Sequence, residues 1–298
     1  VNLAAALAIT PRKVLLVDMD PQGNATMASG VNKGELEHSI TELLLEESTF
    51  AQTLLHTEQG YDLIPGNIDL TAVEIQLMDM QQRESRLKNA LFPVRQQYDY
   101  IIIDCPPSLS LLTLNALAAA DGIIVPMQCE YFALEGLSSL INTINALKQK
   151  LNPQLEIDGI IRTMFDVRNN LANAVSNELT QHFGDVVFRT LVPRNVRLAE
   201  APSHGQSIIN YDKGSTRKKL YQGEQLMAAR KSGLGRGLDA LLGSAMKAAS
   251  APVDLSKEGL TKLAITQLQP GKYQPRRDMK VEKLSELADS IRAQGVIQ

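Results

Sequence analysis

Two runs of consecutive apolar residues each end in a carboxylate and then a turn: Val14-Leu-Leu-Val-Asp-Met-Asp-Pro-Gln-Gly-Asn24 and Tyr100-Ile-Ile-Ile-Asp-Cys-Pro-Pro-Ser108. A run without polar alternation fits a strand covered on both faces, which is how strands of a parallel sheet read. In such sheets ligands collect beyond the carboxyl ends of the strands. Asp18, Asp20 and Asp104 therefore stand where a nucleotide and its magnesium ion would be handled.

The surrounding pattern supports that sheet. Strand-like segments at 13–18, 61–64, 100–104, 122–127, 157–163 and 186–192 alternate with helical periodicity at 39–46, 69–91, 110–119, 134–150 and 171–182. Such alternation predicts an α/β fold, a doubly wound and mostly parallel sheet with helices on both faces. The 298 residues suffice for one large domain and a smaller module. Charge divides the chain in the same way: residues 1–214 carry a balance of −10, residues 215–298 one of +7. Cys105 and Cys129 sit beside apolar runs without a Cys-x-x-Cys pair, and the four histidines lack metal-ligand spacing. Both thiols read as reduced core residues. No apolar stretch approaches the roughly 18–20 residues of a membrane span and no signal peptide is visible, so the expected location is the cytoplasm.

The ends read differently from the middle. Val1-Asn-Leu-Ala-Ala-Ala-Leu-Ala-Ile9 looks like helix interior, with no cap, preceding turn or initiator methionine, as though the chain starts late. Residues 215–226 show no clear periodicity and read as a junction. The basic, glycine-rich run from Met227 resembles the beginning of a protein. In residues 227–243, Leu234, Leu238, Leu241 and Leu242 share one helical face, with Arg230, Lys231 and Arg236 near its start. Residues 244–262 are too poor in large apolar side chains to fold and read as a flexible linker. Within 263–298, Val281, Leu284, Leu287, Ala288 and Ile291 mark a helical face that Gly295 would end.

Asp18 and Asp20 are two apart at a strand end, so their side chains leave on one side of the sheet. Such a pair repels unless a cation or water lies between, and magnesium takes one or two carboxylates plus waters and phosphates. The alternative is that one acid caps the following turn and the other faces solvent. Asp104, after Tyr-Ile-Ile-Ile, has the Walker-B pattern of nucleotide hydrolases.

These runs, together with Val192-Pro-Arg-Asn-Val-Arg-Leu-Ala-Glu-Ala-Pro-Ser-His-Gly205, make residues 1–214 resemble the ParA family of deviant-Walker P-loop ATPases, which includes Soj- and MinD-like members. That resemblance implies ATP and Mg2+ as cofactors and partition of chromosomes or plasmids as the task. By motif, Asp20 would be the acid that positions the attacking water and Asp18 its companion. Asp104 would hold magnesium through water, and Pro193 and Arg194 would flank the adenine. The family dimerises around ATP and binds DNA without sequence preference, which draws attention to Arg162, Arg168, Arg189, Arg194 and Arg197 in an otherwise acidic region. Arg197, with Arg189 and Arg168, is the leading candidate for phosphate contact; surface solvation or pairing with acids is the alternative. No membrane role is expected, since the Pro193–Gly205 segment matches ParA better than MinD and no basic amphipathic helix follows residue 214.

One departure matters. Relatives carry a Lys-Gly-Gly-x-Gly-Lys-Thr-Thr phosphate loop before the helix with which this sequence opens, preceded by a central strand. The expectation is that residues 1–298 alone have unpaired sheet edges, fold poorly and hold ATP weakly. The tail carries a second resemblance. Lys231 to Leu242 is similar to the N-terminal peptide of ParB, the partner that stimulates ParA, with Arg230, Lys231 and Arg236 as its basic residues. Gln269-Pro-Gly-Lys-Tyr-Gln-Pro-Arg-Arg-Asp278 is similar to the opening of the ParB nuclease-like domain. The chain thus reads as a ParA domain lacking its first strand, joined to the start of a ParB, as a frameshift across neighbouring genes would produce. Its expected working place is the nucleoid, as a homodimer when complete. The competing reading is a non-hydrolytic remnant that still touches DNA or its partner.

Overall fold

The computed structural model describes residues 1–212. The expectations placed on 215–226, 227–243, 244–262 and 263–298, including Arg230, Lys231 and Arg236, lie outside them.

Four strands form one sheet in the order β2-β3-β1-β4: β1 Val14–Asp18, β2 Leu55–His56, β3 Asp62–Ile64 and β4 Tyr100–Asp104. All pair in parallel except the antiparallel β2–β3 edge. β1 is buried along its whole length because successive side chains enter different cores. Leu15 and Val17, with Ile64 of β3, pack against α3 (Ile40–Leu45), α5 (Leu70–Met78), α6 (Arg86–Leu91) and α7 (Leu111–Ala119). Val14 and Leu16, with Leu63, pack against α1 (Asn2–Ala8), α2 (Asn24–Ala28) and α11 (Ile208–Tyr211). The continuous apolar run is therefore the mark of a two-faced strand. Short α4 (Phe50–Thr53) precedes β2.

A second, parallel sheet holds β5 (Gly122–Gln128), β6 (Glu156–Phe165) and β7 (Val187–Pro193) in that order. It shares a core with α8 (Ala133–Lys150) and α9 (Asn170–Phe183), while α10 (Val196–Glu200) follows β7.

The mostly parallel α/β arrangement stands, and one helix boundary needs correction. The parallel strands are divided between two sheets, and the open edges of β4 and β5 line one cleft of about 1340 Å³. Ile101, Ile102 and Ile103 on one side and Ile123 and Ile124 on the other are only half-buried. Unpaired edges and uncovered apolar faces are what the resemblance implied. The helix read at 69–91 is two helices, broken over 79–85 where Gln82 takes φ 54°. The buried Asn115 side chain explains the break: it donates to Arg83 O at 2.7 Å and accepts the Leu87 N–H at 3.1 Å, capping α6 from a distant helix.

Candidate functional site

β1 and β4 pair in register so that Asp18 lies opposite Asp104, and the Met19 N–H donates to Asp104 O at 2.8 Å just beyond. Both acids thus end adjacent strands, with Asp20 on the turn two residues later. That is the juxtaposition the sequence predicts.

The three carboxylates differ sharply in surroundings. Asp18 is wholly buried. Its Oδ1 accepts the Asp20 N–H at 3.2 Å, and its Oδ2 accepts the Thr26 N–H at 2.8 Å and the Thr26 hydroxyl at 2.7 Å. Burial pushes its carboxyl above the usual range, while the bonds from Thr26 and Asp20 hold it back. Asp18 therefore caps the turn, one of the two roles its spacing left open. Asp20 is half-buried and accepts the Gln22 N–H at 2.9 Å through Oδ1. Asp104 is open to the cleft at its tip. The protein packed around the rest of it raises its carboxyl, and the charges of Asp18 and Asp20 raise it further.

Among the described residues, no group of three or more His, Cys, Asp or Glu side chains is placed to hold a metal ion. The acids do not form a protein-only cage. They fit a cation that keeps its waters and takes phosphate oxygens, as magnesium does.

Asp104 and Asp18 retain protons in the folded chain at pH values where the unfolded chain has released them. The folded state therefore gains stability as the pH falls through the raised values, until the unfolded carboxyls titrate near about 4. Asp104→Asn removes Asp104's share of this repulsion. The variant is expected to melt a few degrees above wild type near neutral pH, with the gap closing on acidification. Because water reaches Asp104 the gain is modest. Thermal melts across that range check it, and a variant that melts lower at every pH contradicts it.

The remaining candidates lie elsewhere. Pro193 closes β7 in the second sheet, and the exposed Arg194 beyond it donates its backbone N–H to Phe165 O at 3.0 Å. Arg162 is inward and structural, bonding Ser176 Oγ, Phe188 O and Arg189 O at 2.8–3.1 Å. Arg168 is exposed but makes two bonds to the Asp166 carboxylate at 3.0 and 2.8 Å. Arg197 donates to Glu200 at 3.2 Å and sits 6.0 Å from the Tyr211 ring centroid. Arg189 is exposed with no ion pair among the described residues.

Sequence reasoning missed Thr26 and Gly66. Thr26 Oγ1 also accepts the Gly66 N–H at 2.8 Å, tying the Asp18 turn to the loop after β3. The available signal was Thr26 closing the Asp-Pro-Gln-Gly-Asn-Ala-Thr run; Gly66 had none beyond following Pro65.

Comparison with known proteins agrees with this arrangement. A family model described as an AAA domain matches residues 1–157, and one described as the ParB N-terminal domain matches residues 249–298. Chromosome partitioning protein ParA of Myxococcus xanthus is 53% identical over 213 residues, covering 71% of this chain and 75% of that protein. Sporulation initiation inhibitor protein Soj of Bacillus subtilis is 49% identical over 222 residues, covering 74% and 88%. The crystal structure of cobyrinic acid a,c-diamide synthase from Mycobacterium smegmatis with bound ATP analog and magnesium superposes with a TM-score of 0.66 at 34% identity, covering 75% and 84%.

Proposed function

The chain belongs to the AAA-domain family of ParA/Soj-type chromosome-partitioning ATPases, and on that premise we propose that it serves chromosome or plasmid partition by ATP-dependent binding to DNA without sequence preference, with hydrolysis stimulated by a ParB-type peptide. The observation that carries this reading is the registered pair Asp18–Asp104 with Asp20 on the next turn. Asp20, the half-exposed acid, would orient the attacking water. Asp104 would hold magnesium through water, and Asp18 fixes the turn on which Asp20 sits. Magnesium would neutralise charge developing on the phosphates. Pro193 and Arg194 would bound the base, and assembly would be a homodimer at the nucleoid. No helix among the described residues is long and apolar enough to cross a membrane.

Of the arginines proposed for DNA, Arg189 is favoured by the contacts over Arg168 and Arg197, which must first leave their acids. Arg189→Ala should weaken retention of duplex DNA and flatten its salt dependence more than Arg168→Ala does, as read by binding across a salt series.

A second reading, a non-hydrolytic component, is favoured by the open cleft beside Asp104. ATP turnover by the full chain, with and without duplex DNA and a synthetic peptide of residues 227–243, separates the two. Turnover raised by both additions supports the ATPase; none, with DNA still bound, supports the second reading.

A further inference from the structure

The Asp20 turn and the loop behind Asp104 are joined by a path that lies outside both motifs. It starts at Thr26, wholly buried, whose hydroxyl donates to Asp18 and accepts from Gly66. From Gly66 the chain runs through Asn67, whose Oδ1 accepts the Asp69 N–H at 3.2 Å, directly into α5. The inner face of α5, Leu70, Val73 and Leu77, is locked in the core with Leu15 and Val17 of β1 and Leu112 of α7. Midway along α5, Glu74 turns toward α7: its Oε1 accepts the N–H of Leu111 at 2.8 Å. Leu111 is the first residue of α7, capped by Ser110 and directly after the Cys105–Leu109 loop that follows Asp104.

We propose that Thr26 and Glu74 are positioning residues that make α5 a rigid spacer between the two acid-bearing loops, so that Asp20 and Asp104 are set relative to each other through the helix as well as through the β1–β4 ladder. The ladder fixes the strands, but Asp20 sits past its end on a turn held by the Gly23 N–H to Asp20 O bond and by the carboxylates of Asp18 and Asp20, which accept the Asp20 and Gln22 N–H groups. A packed helix with a polar tie in the short loop leading into it, at Gly66, and another at its middle is stiff enough to carry a displacement between the ties. Each tie also satisfies a local group, Thr26 holding the Asp18 carboxylate and Glu74 pairing a helix-start N–H, and both do so from a different element. The Leu111 N–H is one of the donors a helix start leaves unpaired, and Ser110 already serves its neighbour Leu112. The chemical meaning of the spacing rests on the proposed nucleotide-facing role of the two acids; the coupling does not.

Amide hydrogen exchange on the full chain without nucleotide reads the coupling directly, because exchange reports local opening. Thr26→Val removes the hydroxyl at nearly constant shape. The expected result is exchange of the Leu111 amide about tenfold faster, although Leu111 touches no part of Thr26, with wild-type rates restored by Thr26→Ser. Acceleration confined to residues 19–28 and 66 overturns the proposal, as does equal acceleration throughout α9, which would mean general loosening. If Thr26→Val does not fold, the test runs from the other end. Glu74→Leu should speed the Gln22 and Thr26 amides while Glu74→Gln, which keeps an acceptor oxygen, leaves them unchanged; unaffected amides in Glu74→Leu overturn it equally. Absent ATP turnover would remove the ATPase reading and leave the exchange result standing.

Discussion

Gly66→Ala is expected to cost about 3 kcal/mol of stability, enough to leave the first sheet partly unfolded at physiological temperature. A Cβ at this position would lie 2.5 Å from Asp18 O, 3.2 Å from Asp18 C and 3.1 Å from Asp18 Cγ. Two of those atoms are backbone of Asp18 at the end of β1, which pairs with Asp104 on one side and follows Val17, paired on both, so it has little room to retreat. Gly66 must therefore move, and its N–H then leaves Thr26 Oγ1, so a buried hydrogen bond is lost on top of the overlap. The same close approach excludes a side chain at Gly23, whose Cβ would stand only 2.7 Å from the Gly66 carbonyl. Gly136 supplies the contrast: an added Cβ there meets nothing within 4 Å, inside α8. Gly136→Ala should gain roughly 1 kcal/mol from helix propensity. Urea unfolding of both variants checks the pair, and equal midpoints would show that the loop after β3 yields more than its neighbours allow.

What could be read from the sequence follows a physical line. β1 and β4 were legible because a strand buried on both faces has no polar alternation, and Asp18, Asp20 and Asp104 followed from where such runs stop. Helices α7, α8 and α9 had clear starts or periodicity. β2, at two residues, is too short to carry a pattern, and α2, α4, α10 and α11 are single turns set by caps and tertiary contacts. The break between α5 and α6 depends on Asn115, 28 residues in sequence from Leu87 and 32 from Arg83, beyond what a local window would weigh. Division into two sheets was foreshadowed only through family resemblance, since Ile101–Ile103 and Ile123–Val125 look the same in sequence whether or not their edges are paired. The arginines were the least legible. Arg162, Arg168, Arg189 and Arg197 are chemically identical in the sequence, and only the partners at hand separate the structural one and the acid-paired two from the one left open to solvent.

Asp18 and Asp20 look interchangeable in the motif, but their replacement should give opposite phenotypes. Asp18→Ala leaves the Thr26 hydroxyl and the N–H groups of Thr26 and Asp20 without their acceptor in a buried place. At the cost of unsatisfied buried donors the loss is roughly 3 kcal/mol, even after credit for removing a carboxylate that burial disfavours. Asp18→Asn should rescue little. One oxygen receives the Asp20 N–H and the other receives both Thr26 donors, so either orientation of the amide turns its NH2 group against an N–H. Asp20, by contrast, spends one oxygen on the nearby Gln22 N–H and keeps the other toward solvent. Asp20→Ala should therefore unfold within about 1 kcal/mol of wild type, while any ATP turnover the chain supports, and its rise with DNA and peptide, disappears. Measuring unfolding midpoint and turnover on both variants places each acid. A stable Asp18→Ala with lost turnover would move the reactive role to Asp18, because a group that only holds a turn cannot be removed without loosening it.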